Sequence, residues 1–233
     1  MPAVLTPPEV STAPIIPMPP ETLVAPVPVS EQRFVLPDVS WATYEQLLAN
    51  YENSGSPRFT YLQGDLEIIM PSRQHEENSE TFKQFVQTVC EERDLDFRGL
   101  GSTTYKREDL LGGAEPDGCF YIQNVARIVG ASNLDLAIHP PPDLVIEIDL
   151  TSPSVNKFSI YAALGVPEIW HHQNGQTKIY ALREGAYQEA AASQTLTGVT
   201  GAVLDQFLAA SRDTRRPAWL RSVREWAQET ASA

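Results

Sequence analysis

Apolar residues recur along the chain in short runs whose spacing changes from segment to segment. After Asp38-Val39-Ser40, the set Trp41, Tyr44, Leu47 and Leu48 has helical spacing, with Ser40 placed to cap it. Arg58–Leu62 and Leu66–Met70 read as two strands joined by a turn at Gln63-Gly64-Asp65, and Pro71 ends the second. From Ser72 to about Arg93, Phe82, Phe85, Val86 and Val89 share one face, which predicts a long one-sided helix. A strand-rich block follows, with short strands over 96–100 and 103–106 and a turn at Gly112-Gly113. Stronger strands are expected over Gly118–Ile122 and Asp143–Asp149. Asn156–Leu164 reads as a helix stopped by Gly165 and Pro167. Glu168–His172 and Thr177–Leu182 are expected to pair across Asn174-Gly175, and residues 186–191 to add an edge strand. Leu204 to about Gln228 is helical, interrupted at Pro217. This order of elements predicts an α/β (α+β) fold with a mixed central β-sheet flanked by helices.

Composition adds boundaries. Nine of the 19 prolines fall in the first 30 or so residues, so 1–33 is expected to be a Pro-rich, poorly ordered tail. The folded part then begins near Phe34, with a main domain over 34–192 and a helical extension over 193–233. With 42% hydrophobic and 20% charged residues the chain is of the globular class. No run is apolar enough for a membrane span, the start has no secretory pattern, and Cys90 and Cys119 lack zinc-motif spacing. The expected compartment is therefore the cytoplasm. A net charge of −13 argues against indiscriminate nucleic-acid binding, but it leaves room for a local basic groove or a metal site.

Three residues carry the candidate chemistry. Asp117 closes Glu115-Pro116-Asp117, Glu147 lies inside the apolar run 142–150, and Lys157 follows ten residues later. A carboxylate in a β-core is costly without a partner. If the two strands are neighbours, the two acids could hold Mg²⁺ or Mn²⁺, with Lys157 stabilising charge on a phosphoryl group. The same residues would also suit a turn cap at Asp117, a Glu147 paired with Lys or Arg, and a solvated Lys157.

Ordered motifs run from Arg58 to Trp170: Leu66-Glu67-Ile68-Ile69-Met70-Pro71-Ser72, His75-Glu76, Glu115-Pro116-Asp117, and 141–148 followed by Ser152-Pro153-Ser154. Lys157-Phe158-Ser159-Ile160-Tyr161 and Leu164-Gly165-Val166-Pro167-Glu168-Ile169-Trp170 complete the set. Together these resemble the Uma2 family of restriction endonuclease-like proteins, a branch of the PD-(D/E)XK nucleases. The resemblance implies a restriction-endonuclease-like αβββαβ core and a divalent metal, Mg²⁺ or Mn²⁺. It also implies hydrolysis of phosphodiester bonds in DNA, and a possible homodimer. Carried over, Asp117 and Glu147 are metal ligands and the Ile148 carbonyl is a third. The usual pattern has lysine two residues after the glutamate, where this chain has Asp149, and Lys157 resembles a migrated replacement. The departure leaves a catalytically inactive binding or assembly module as the alternative.

Glu76, at the start of the long helix, matches the position of an additional acid that acts on the metal directly or through water, although the helix dipole also favours an acid there. His75 could contact a phosphate. Glu80 is a weaker candidate for the site, and Glu67 is expected to be a strand residue with a local partner. His171 and His172 are expected on opposite faces of a strand, and Tyr161 and Trp170 in the core. Near the C-terminus, Arg212, Arg215, Arg216, Arg221 and Arg224 interleave with Trp219 and Trp226. They suit either a basic face that tracks a phosphate backbone or an amphipathic helix packed through its tryptophans.

Overall fold

The computed structural model describes residues 31–231, apart from 53, 132 and 151–154. The expected tail, up to residue 30, and the Ser152-Pro153-Ser154 motif lie outside the described residues. The elements run β1 (Gln32–Leu36), α1 (Trp41–Asn50), β2 (Arg58–Leu62), β3 (Asp65–Met70), α2 (Arg73–Glu92), β4 (Arg98–Gly99), β5 (Tyr105–Arg107) and β6 (Gly112–Ala114). They continue with β7 (Gly118–Tyr121), β8 (Leu144–Asp149), α3 (Lys157–Leu164), β9 (Glu168–Gln173), β10 (Gln176–Arg183), β11 (Ala186–Ala190), α4 (Gly201–Asp213) and α5 (Arg216–Glu229).

The strands form two sheets. One has the order β1-β3-β2-β6-β5 and is antiparallel throughout. The other has the order β11-β10-β9-β8-β7-β4 and is antiparallel except where β8 and β9 run parallel. A parallel pair needs a crossover, and α3 supplies it. The mixed α/β fold expected from the sequence is present, and within the six-stranded sheet α2, β4, β7, β8, α3 and β9 follow the αβββαβ order, with β5 and β6 branching off to the other sheet.

All six residues of β8 are buried, so the strand is covered on both sides. Leu144, Ile146 and Ile148 face one apolar cluster with Phe82, Phe85, Trp170, Phe207 and Trp219. Val145 faces a second, with Ile160, Tyr161 and Ile169. Alternation along the strand therefore turns Glu147 and Asp149 toward the α3 side. Helices α4 and α5 pack their Phe207, Leu208, Trp219 and Val223 into the same cluster as Ile146. The packing alternative for the C-terminal tryptophans thus holds, with Trp219 fully buried and Trp226 lying against Phe85.

Three local expectations are corrected. Gly112-Gly113 is strand, not turn, because Gly113 pairs with Tyr61 and Lys106 and a side chain there would meet the Tyr44 hydroxyl. The chain turns one residue earlier, where Leu111 has φ 44°. The C-terminal helical run breaks at Thr214 rather than Pro217, which sits in the first turn of α5, where a missing N–H is harmless. Finally, Gln32–Leu36 is a strand that the sequence reading did not expect. Its exposed, short apolar run ahead of Pro37 has little of the usual strand signal, and pairing with β3 creates it.

Candidate functional site

β7 and β8 are antiparallel neighbours, with Gly118 opposite Ile146. Asp117 extends that ladder by one residue, donating its N–H to the Ile146 carbonyl at 3.1 Å. Its Oδ2 then accepts the Ile148 N–H at 2.7 Å. The carboxylate replaces a main-chain acceptor and is thereby fixed beside Glu147, the intervening residue of β8. The two acids and Ile148 are thus brought together.

Each acid meets a different set of partners. Asp117 Oδ1 accepts from His75 Nε2 at 2.8 Å and from Arg58, while Ser79 Oγ donates to the Asp117 carbonyl at 3.0 Å. Burial opposes its charged form, but His75, Arg58 and Lys157 outweigh this and hold the carboxyl well below the usual range. The His75 ring is itself buried, which disfavours its charge. Hydrogen bonds to Asp117 and to Glu31, the latter at 2.7 Å, prevail and raise it to about 9. At neutral pH His75 is an imidazolium that donates to two carboxylates, not an exposed phosphate contact.

Glu147 accepts from Lys157 Nζ at 2.6 Å and from the Tyr161 hydroxyl at 2.5 Å. Burial pushes its carboxyl upward, Asp117 and Asp149 add to this, and Lys157 opposes them. Lys157 loses hydration on burial, yet Glu147, Asp117 and Asp149 hold it firmly protonated. It reaches the acid because it opens α3, whose start is fixed by the Asn156 side chain accepting from Ser159 N. Asp149, where the usual pattern has lysine, is paired instead with Arg33 at 2.9 Å and His171 at 2.8 Å. Arg33 also bonds Glu67 at 2.8 Å and Glu31 at 3.1 Å.

Glu76 contacts the cluster from outside, accepting from Arg58 Nη2 at 2.6 Å, with about half of its side chain exposed (47%). Asp117, Glu147 and Lys157 are 2%, 1% and 7% exposed, so Glu76 is the acid of the proposed set that meets solvent. Glu80 is a surface residue paired with Lys83 at 3.2 Å. Glu67 is fully buried and finds Arg33 on the neighbouring strand. His171 and His172 do take opposite sides: the first joins Asp149, the second bonds Thr177 at 2.9 Å.

Reading the sequence missed Arg33, Arg58, Glu31 and the polar role of Tyr161. The available signal was an arginine in each of two otherwise apolar stretches, Arg33-Phe34-Val35 and Arg58-Phe59-Thr60-Tyr61. In a half-buried strand such a residue is costly unless paired.

The donor set suits a hard divalent cation. A carboxylate offers about four acceptor sites. Asp117 uses Oδ2 for one donor only, and each Glu147 oxygen takes one, so acceptor capacity remains on both. Among the described residues no group of three or more His, Cys, Asp or Glu side chains is arranged as a metal cage. Mg²⁺ needs none, because it is typically held by one or two carboxylates and keeps several waters.

Residues 41–210 match the family Uma2, described as "Putative restriction endonuclease". A solved structure described as a "putative nuclease belonging to DUF820" from Anabaena variabilis is similar at 16% identity and a TM-score of 0.47, over 69% of this chain and 98% of that one. No curated protein matches the chain. The family match spans well over half of the sequence, and the chain belongs to the Uma2 family.

Proposed function

We propose that this chain is a divalent-metal-dependent endonuclease that hydrolyses phosphodiester bonds in DNA. The observation that carries the reading is the buried ammonium of Lys157, 2.6 Å from Glu147 on the strand beside Asp117. It supports a displaced lysine in the place that Asp149 cannot fill. Asp117 and Glu147, with the Ile148 carbonyl, would hold Mg²⁺ or Mn²⁺. When bound, such an ion polarises a phosphoryl oxygen and lowers the pKa of a bound water.

The remaining work belongs to the chain. His75 and Arg58 keep Asp117 ionised, and Tyr161 fixes the Glu147 carboxylate. Lys157, held protonated, neutralises charge that builds on the phosphate. Glu76 stands at the solvent edge, where it can hold a water.

Mn²⁺ titration calorimetry should give binding heat with wild type and none with Asp117→Ala or Glu147→Ala; heat unchanged in both variants would remove the metal site. Plasmid nicking in Mg²⁺ should fall to background in Lys157→Ala. A second reading, a nuclease fold without cleavage serving as a binding module, is favoured by the near-complete burial of Asp117 and Glu147. Equal, background-level nicking by wild type and Lys157→Ala would select it.

A further inference from the structure

The acids are buried, and Glu76 leads from them to open space. Glu76 bonds Arg58, which bonds Asp117, and on its other side it lines a cavity of about 820 Å³. The first half of α2 forms one wall of that cavity, and the end of α4 with the start of α5 forms the other. Its volume is within the range of pockets that bury a ligand, roughly 300–1,000 Å³.

The charges on the two walls are not equivalent. On α2, Glu76 pairs with Arg58, Glu77 with Arg73 at 2.7 Å, and Glu80 with Lys83 at 3.2 Å. On the opposite wall Arg212 and Arg216 have no carboxylate within ion-pair distance among the described residues. Arg216 is held in place by stacking over the Trp219 ring at 4.6 Å, and Arg212 is exposed at the end of α4. In a chain of net charge −13, the cavity therefore keeps two guanidinium groups unspent.

Two guanidinium groups free of carboxylates on one wall of a cavity are suited to phosphate oxygens.

We infer that this cavity is the docking groove for the DNA backbone, with Arg212 and Arg216 contacting phosphates. The inference rests on the nuclease reading for its substrate class, but its contacts lie outside the acid cluster. The acidic net charge then limits binding to this one groove, and Glu76 is the link from groove to acids.

The test is fluorescence anisotropy of a short fluorescein-labelled DNA duplex in EDTA, using the full chain and a series of salt concentrations. Arg212→Gln/Arg216→Gln should weaken binding about tenfold or more and lower the slope of log K against log salt by about 2. Arg73→Gln/Arg212→Gln, which keeps the Arg216–Trp219 stack, should act in the same direction. Arg98→Gln, at a surface residue paired with Asp96, should bind as wild type does. Equal affinity and slope in wild type and the Arg212/Arg216 variant overturns the groove, as does a wild type that binds no duplex. Arginine-dependent binding without cleavage would instead keep the groove and sink the nuclease reading.

Discussion

The six-stranded sheet brings Asp117, Glu147 and Asp149 to the cluster, whereas the five-stranded sheet brings Arg33 on β1 and Arg58 on β2. The acids sit where the geometry of β7 and β8 puts them, in adjacent positions or two residues apart on one face. The arginines arrive from another sheet and neutralise acids whose positions are already fixed. Glu147 is the exception. Its cation, Lys157, comes from the crossover helix of its own sheet, and its other partner is a neutral hydroxyl. Asp117 has three donors, one of them main-chain, and is held low; Glu147 has two and is held high. One acid has more donors than the other.

Removing the cation from each acid in turn should expose this difference. Lys157→Met leaves Glu147 buried with Tyr161 alone and should cost about 3–5 kcal/mol. Arg58→Met leaves Asp117 with His75 and the Ile148 N–H and should cost less, about 1–3 kcal/mol. Urea unfolding of both variants measures the gap, and equal losses would abolish the distinction. Pairing Lys157→Met with Glu147→Gln should restore most of the loss, because the unpaired charge is gone.

The pH dependence of stability sharpens the comparison from the Asp117 side. The folded-state pKa of His75, about 9, lies above its ordinary 6.5. Its contribution is therefore full below about pH 6.5 and is lost as pH rises through about 9. Asp117 is shifted the other way, so its contribution is present above its ordinary carboxylate range and lost as pH falls through the depressed value. Since the two groups share one hydrogen bond, His75→Gln should remove the alkaline loss and shrink the acid one. The alkaline arm should amount to about 3 kcal/mol. A His75→Gln profile that still falls between pH 6.5 and 9 would assign the alkaline loss to another group.

The six-stranded sheet was the legible half of the site. An acid amid Leu144, Val145, Ile146 and Ile148 stands out in one dimension, and Pro116-Asp117 precedes it, whereas Lys157, ten residues on rather than two, is picked out by the resemblance to the family. The helices and most strands were equally readable, because caps at Ser40 and Ser72 and the turn at Asn174-Gly175 are local chemistry. The arginines had no such local sign. Arg33 meets Asp149 across 116 residues and Arg58 meets Asp117 across 59, and only the packing of one sheet on the other decides those partners. Tyr161 read as core because it is core; its hydroxyl needed the register of α3 over β8 to find Glu147.

That register depends on a single turn, which gives the smallest of the expected effects. α3 begins at Lys157, and the Asn156 side chain accepts from Ser159 N at 3.3 Å, satisfying one of the open donors of the first turn. The lysine is therefore the first residue of a helix of only eight residues. Asn156→Ala should cost about 1 kcal/mol, and Asn156→Asp should keep the cap. If Lys157 acts from a fixed position, Asn156→Ala should also lower the rate of cleavage by severalfold with DNA affinity unchanged, and Asn156→Asp should restore it. A rate that tracks neither substitution would mean that the Lys157–Glu147 contact alone, and not the helix start, sets where the ammonium sits.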